Sequence, residues 1–268
     1  MSARKAQLAG LAAILALTTT AGCGLATDSS GDPPAAAPTS TKPLDPQLVL
    51  IDAVPGEKDG AYHFEVTGGD LPSSGVLDAP HQSALVKIEQ HQTNPDFDLA
   101  MATLMVGKQT WVKMAITPSL PGLPKIPKNW QLIDGSKIKS QDLPIGYDGS
   151  TDPGYAQLLV QKSAGVKETS AGHYAGTTDL TRSADAEILD AKTLKKLGAK
   201  AKSVPFTATV DSAGNLTSLI AKIPAAAGVK ARTYTIKYDG FGSTATPVAP
   251  AAGEQQKAAS VIYQMLAG

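Results

Sequence analysis

The 268-residue chain carries 24 basic and 24 acidic side chains. Two of the basic ones, Arg4 and Lys5, lie in a leader, so the remainder has 22 against 24, a net of −2, with no basic face for nucleic acid. Cys23 is the only cysteine, which excludes an intramolecular disulfide and a thiolate metal cage, and 25 glycines with 19 prolines and 5% aromatics favour turns and short strands over a helical bundle.

Residues 1–22 read as a secretory leader, with Arg4 and Lys5 at the start, an apolar run from Leu8 to Leu17, and small residues Thr20-Ala21-Gly22 before Cys23. Ala21-Gly22-Cys23 resembles a bacterial lipobox, in which the leader is cut before the cysteine and the sulfur takes a diacylglycerol. Thr20 departs from it, since that position usually holds Leu. Cys23 is the expected lipidation site, which places the protein on the extracytoplasmic face of the cell membrane. Residues 23–44 are rich in Pro, Ala, Ser and Thr and bury too little to offset their ordering entropy, so a disordered tether is expected. From Gly24 on, such a tether reaches about 65–70 Å when extended.

The folded domain is expected over 45–250, roughly 200 residues and enough for one sizeable core. Pro46 to Val54 is a short apolar segment that suits a helix, with Pro at its start. Ala61 to Thr67 alternates as a strand, Gly68-Gly69-Asp70 turns, and Gly75 to Ala79 makes another short strand. Ser83 to Ile116 follows as three apolar runs joined by Thr93-Asn94-Pro95-Asp96 and by Gly107-Lys108, the pattern of an antiparallel meander. A side-chain period of two puts Val86 and Ile88 on one face of the first run. It puts Phe97, Leu99, Met101 and Met105 on one face of the second, and Val112, Met114 and Ile116 on one face of the third. That much apolar area needs helices, a second sheet or a bound apolar molecule against it.

The Pro-rich run 118–127 cannot be a central strand, because each proline lacks a ladder donor. Asn129 to Ile133 resumes a strand. Asp152-Pro153 opens a helix through Tyr155, Leu158 and Leu159 that stops at Gly165. His173 to Leu180 reads as a strand. Ser183 or Asp185 then caps a second helix with Ile188, Ala191, Leu194, Leu197 and Ala201 on one side. Strands over Val204–Val210, Leu216–Ile223 and Arg232–Tyr238 follow, with an extended piece at Ser243–Val248. In the tail, 251–268, a helix from Glu254 to Leu266 is expected. The order predicts an α+β fold, a curved antiparallel half-barrel sheet with a few helices packed on its concave face.

Taken together, these pieces resemble the LolA/LppX-like superfamily of envelope lipoproteins, in particular the LppX and LprG family of actinobacteria. The matching stretches are the lipobox and tether, Thr110-Trp111-Val112-Lys113, Asn129 to Ile133, the Asp152-Pro153 helix, Gly172–Thr181, Val204–Thr217 and Tyr234–Gly242. They span most of 45–250. The resemblance implies an apolar cavity between sheet and helices, carriage or presentation of acyl chains, and no catalytic machinery.

The residues themselves carry little sign of catalysis. There is no Gly-x-Ser-x-Gly, Gly149-Ser150 and Gly242-Ser243 fall in turns, and the four histidines scatter. Glu89 and His91 share a strand face with Lys87, which reads as a solvated side more simply than as a metal pair; no metal and no cofactor are expected. Met101, Met105 and Met114 suit either filled packing or an adaptable cavity lining. Candidate cavity residues are Val86, Ile88, Leu99, Met101, Met105, Val112, Met114, Ile116, Leu158 and Leu159. Lys192, Lys195, Lys196, Lys200 and Lys202 form a run that is ordinarily a solvated face and alternatively a contact for anionic headgroups. The function expected is a non-enzymatic, membrane-anchored carrier of a lipid or acylated molecule, working with an envelope transport protein. The rival is an envelope interaction or sensor module with a filled core and a working loop such as 118–127.

Overall fold

In the computed structural model, which describes residues 44–119, 122, 125–138, 144–186 and 188–267, the meander pairs as its periodicity predicts. Strands β1 (Tyr62–Thr67) and β2 (Ser73–Asp78) lead into β3 (Ser83–Thr93), β4 (Asp96–Val106) and β5 (Gln109–Thr117). Ile88 lies opposite Met101, and Met101 opposite Met114. Directly opposed residues share a face, so one face of this part of the sheet is written in those three side chains.

The remaining strands are β6 (Trp130–Leu132), β7 (Ser163–Ser170), β8 (His173–Thr178), β9 (Val204–Val210), β10 (Leu216–Ile223), β11 (Arg232–Asp239) and β12 (Gln255–Lys257). These twelve strands of the described residues join one open sheet in the order β12-β6-β5-β4-β3-β2-β1-β11-β10-β9-β8-β7. Every neighbour is antiparallel except β12, which runs parallel to β6. The α+β architecture with a curved, unclosed sheet is thus the one found.

Among the described residues four helices cover the sheet: α1 (Pro46–Ala53), α2 (Ala156–Gln161), α3 (Ala191–Leu197) and α4 (Ser260–Leu266). Asp45 caps α1 by accepting the Gln47 amide at 2.9 Å, and Pro46 takes the first turn, where no backbone donor is needed. Leu50 of α1, Leu159 and Val160 of α2 and Leu197 of α3 bury in one cluster with Tyr62, Phe64, Leu219, Ile236 and Tyr238 of the sheet. A second cluster joins Ile262 of α4 to Val112, Met114 and Ile133. By register, Val112 and Met114 lie on the same face as Ala84 and Met105 of the first cluster, so α4 shares that face with the others.

Several elements differ from the sequence expectation. Helix α2 ends at Gln161, and β7 follows it at once. Gly165 is no helix stop: at φ +63° it sits where the pairing of β7 shifts between Ala164 and Lys167, a bulge that glycine tolerates without strain. The second helix expected from Ser183 or Asp185 is broken into a 3-10 turn at Ala184–Ala186, α3, and a 3-10 turn at Gly198–Lys202. Asp190 restarts it, its carboxylate accepting the Thr193 amide at 2.8 Å.

The tail differs most. Residues 243–248 form no strand, yet Thr246 donates to buried Asp78 at 2.5 Å and Ser83 donates to the Pro247 carbonyl. Gln255 then accepts the Trp111 indole at 2.7 Å, and 255–257 pairs with β6 before α4 begins. The strap crosses the face opposite the helices, over Leu104 and Trp111, which are buried there.

Candidate functional site

Between the centre of the sheet and its cover lies a cavity of about 650 Å³, within the usual size range of ligand pockets. Val66, Ser73, Val86, Ile88 and Tyr234, from β1, β2, β3 and β11, form its floor. Pairing puts Val66 opposite Ser73 and Ser73 opposite Ile88, so these side chains share the helix-bearing face. Ala186, Ile188, Leu189 and Leu194 close it from the far side, and Pro153 with Tyr155 forms one end. The wall is mainly aliphatic, with Asp70 and Asp190 at its rim.

The 151–155 loop is fixed by three tyrosines on the same sheet face. Tyr62 donates to the Thr151 carbonyl, Tyr234 to the Gly154 carbonyl at 3.0 Å, and Tyr238 to Asp152 Oδ1. The other oxygen of Asp152 accepts the Gln157 amide at 2.8 Å, which ties the loop to the start of α2. Gly154 lies so close to β11 that a Cβ there would meet Ile236 at 2.8 Å, which is why no side chain fits. Burial holds the Asp152 pKa above the ordinary carboxylate range, against the opposing hydrogen bonds from Tyr238 and from backbone amides. Burial, with the nearby Asp152 charge second, likewise pushes the phenols of Tyr62, Tyr234 and Tyr238 up, so all three remain donors.

The rim is pinned by Asp70. Its amide donates to the Ile188 carbonyl at 3.3 Å, its Oδ2 accepts the Asp190 amide at 2.6 Å, and its Oδ1 accepts Arg232 at 2.8 Å. Turn and covering segment are thereby joined across the cavity's edge. Gly68, at φ +76°, makes the turn possible, since a Cβ there would strike the Thr233 carbonyl. Arg232 Nε is buried without a hydrogen-bond partner. Leu71 and Tyr155 also line the cavity while remaining 52% and 43% exposed, so its mouth presents apolar surface to solvent.

No family model and no curated protein matches the chain. The cavity, its neighbours and its charges therefore carry the functional reading.

Of the residues singled out from sequence, Val86 and Ile88 line the cavity. Leu159 is buried in the first cluster, with Leu158 half-buried against it, and Met105 packs there too. Val112 and Met114 instead join Ile262 of α4 in the second cluster, Leu99 and Met101 pack against that cluster, and Ile116 is half-buried opposite Leu99. Cys23 lies outside the described residues. Sequence reasoning missed Tyr234 as a lining residue, and it missed the rim residues Leu71 and Asp70. Ile188 and Leu194, which the periodicity assigns to one apolar helix face, both cover the cavity, Leu194 from α3 and Ile188 from the bend before it.

His91 hydrogen-bonds Asp98 at 2.8 Å on the exposed face, away from the cavity, and among the described residues no group of three or more His, Cys, Asp or Glu side chains is placed to hold a metal. Among the described residues no helix is long and apolar enough to cross a membrane.

Proposed function

We propose that the protein is a membrane-anchored envelope lipoprotein of the LolA/LppX type, tethered through Cys23, that holds an acyl chain of a lipid and carries or presents it. The observation that carries this reading is the 650 Å³ cavity walled by Val66, Val86, Ile88, Ile188 and Leu194. Apolar burial supplies about 0.8 kcal/mol per methylene, so roughly ten methylenes contribute about 8 kcal/mol before the cost of ordering the chain. No polar contact is required for such binding, and no nucleophile or metal enters the reading. The lipid arrives from, or passes to, a membrane or an envelope transport protein.

The rival reading, an interaction or sensor module with a filled core, is favoured by one observation: α4 packs on the β4–β6 part of the sheet, where Ile262, Val112 and Met114 are buried together. Native mass spectrometry of the full chain purified from a lipid-containing host separates the two. Carriage predicts an adduct of lipid mass that organic extraction removes, and uptake of a fluorescent fatty acid afterwards. An adduct-free protein that takes up no fatty acid would support the filled module.

A further inference from the structure

We infer that the mouth of the cavity is a docking face for an anionic lipid bilayer, with the lysines of α3 and the side chains of Leu71 and Tyr155 as its contacts. The inference rests on the carrier reading above and adds the surface from which lipid is loaded or released.

Helix α3 walls the cavity with Ala191 and Leu194 and buries Leu197, so one side of this short helix is occupied. Its other side carries Lys192, Lys195 and Lys196, all exposed, with Lys200 and Lys202 on the turn that follows. Among the described residues none of these five is in an ion pair; only Lys200 is engaged, donating to the Ala225 carbonyl at 2.8 Å. Asp70 is matched to Arg232, and the single charge of Asp190, which caps the Thr193 amide, leaves the five lysines in excess. Helix α3 and the turn after it are thus basic on their solvent side.

Charge alone would suit an acidic protein as well as a membrane. Leu71 and Tyr155 decide between them. They line the same cavity, and each is about half exposed, an arrangement that leaves an aliphatic and an amphipathic aromatic side chain facing water at the opening. Side chains of this kind settle at the headgroup boundary of a bilayer, and lysines beside them gain from anionic headgroups. A lipid moving between bilayer and cavity through such a contact need not expose its chain to water.

The test compares partition of the full chain onto vesicles of phosphatidylcholine alone and onto vesicles that also contain phosphatidylglycerol. Taking the ratio of the two cancels the contribution of the acyl anchor. Each lysine near the surface is worth about fivefold in binding. Reversing three with Lys192→Glu, Lys195→Glu and Lys196→Glu is expected to cut the preference for anionic vesicles at least tenfold, and Leu71→Ser to weaken binding to both kinds. The preference of the unaltered chain is expected to fall as salt is raised, a measurement that needs no variant and is unaffected by any loss of folding. In vesicle-free solution the triple variant is expected to take up fluorescent fatty acid as the unaltered chain does. An anionic preference unchanged by the triple substitution or by salt overturns the docking face and leaves carriage standing. Failure of the unaltered chain to take up fatty acid overturns carriage, and the docking proposal with it. Loss of partner-protein binding in the triple variant with unchanged vesicle preference would assign the lysines to an acidic protein instead.

Discussion

Tyr238 donates its hydroxyl to Asp152, joining a central strand of the sheet to the loop that forms one end of the cavity. Tyr62 and Tyr234 hold the backbone of the same loop on either side, and the rings of Tyr62 and Tyr238 meet edge to face at 5.9 Å. A carboxyl group enclosed in this way makes the cavity wall depend on one polar network.

Removing the donor with Tyr238→Phe leaves Asp152 without its side-chain partner and is expected to cost about 1–3 kcal/mol in urea unfolding. The pH dependence has a definite sign. Because the folded-state pKa of Asp152 is raised above 3.8, its contribution to stability is fully present below that value and is lost as pH rises through the folded pKa. Asp152→Asn should therefore flatten the decline of unfolding free energy above about pH 4. A decline just as steep in the variant would assign it to another group.

Asp78 behaves in the opposite sense. Burial alone would raise its pKa, but hydrogen bonds from Thr246 and His81 outweigh burial and lower it. Its contribution is present above the unfolded value of 3.8 and is lost as pH falls through the folded pKa. Thr246→Val, which removes one of those bonds, should cost about 1 kcal/mol at neutral pH and less in acid. Thermal melts of both proteins across that range check it, with Trp111 fluorescence reporting on the strap above it.

Helix α4 is expected to act on stability and not on fatty-acid uptake. Ile262 is fully buried against Val112, Met114 and Ile133, so Ile262→Ala should cost about 2–5 kcal/mol through the cavity it leaves. Fatty-acid uptake measured well below the melting temperature should be unchanged, since no residue of this cluster lines the 650 Å³ cavity.

Filling the cavity should do the reverse. Ile88 is half-buried on its floor, and Ile88→Trp places an indole in the space a chain would take. Fatty-acid affinity is expected to fall at least about tenfold, while overpacking costs no more than about 1–3 kcal/mol in stability. Titration with a fluorescent fatty acid and a parallel unfolding curve measure the two separately.

The central strands were legible because their burial alternates. Tyr62, Phe64 and Val66 point inward and their neighbours outward, as do Tyr234, Ile236 and Tyr238. Strand β7 was not, for it lies at the sheet edge with only Ser163 and Val166 half-buried and the rest exposed, so no period of two marks it. Gly165 misled for the same reason, looking like a helix stop when it serves a bulge. The methionines were placed on the correct face, but a period of two cannot tell which helix will lie over each residue. Met114 came to meet Ile262, and Ile88 the cavity. The contacts of Asp152 with Tyr238, and of Asp70 with Arg232, span 86 and 162 positions and exist only once the sheet is assembled. No local pattern could announce them.

The most direct measurement is photo-crosslinking of the full chain with a fatty acid that bears a diazirine on its acyl chain, followed by peptide mass mapping. Carriage in the central cavity predicts crosslinks concentrated in the peptides containing Val86 and Ile88 and those containing Ile188 and Leu194, and their loss in Ile88→Trp. Crosslinks confined to the outer sheet face, or none above the level of an unfolded control, would contradict it.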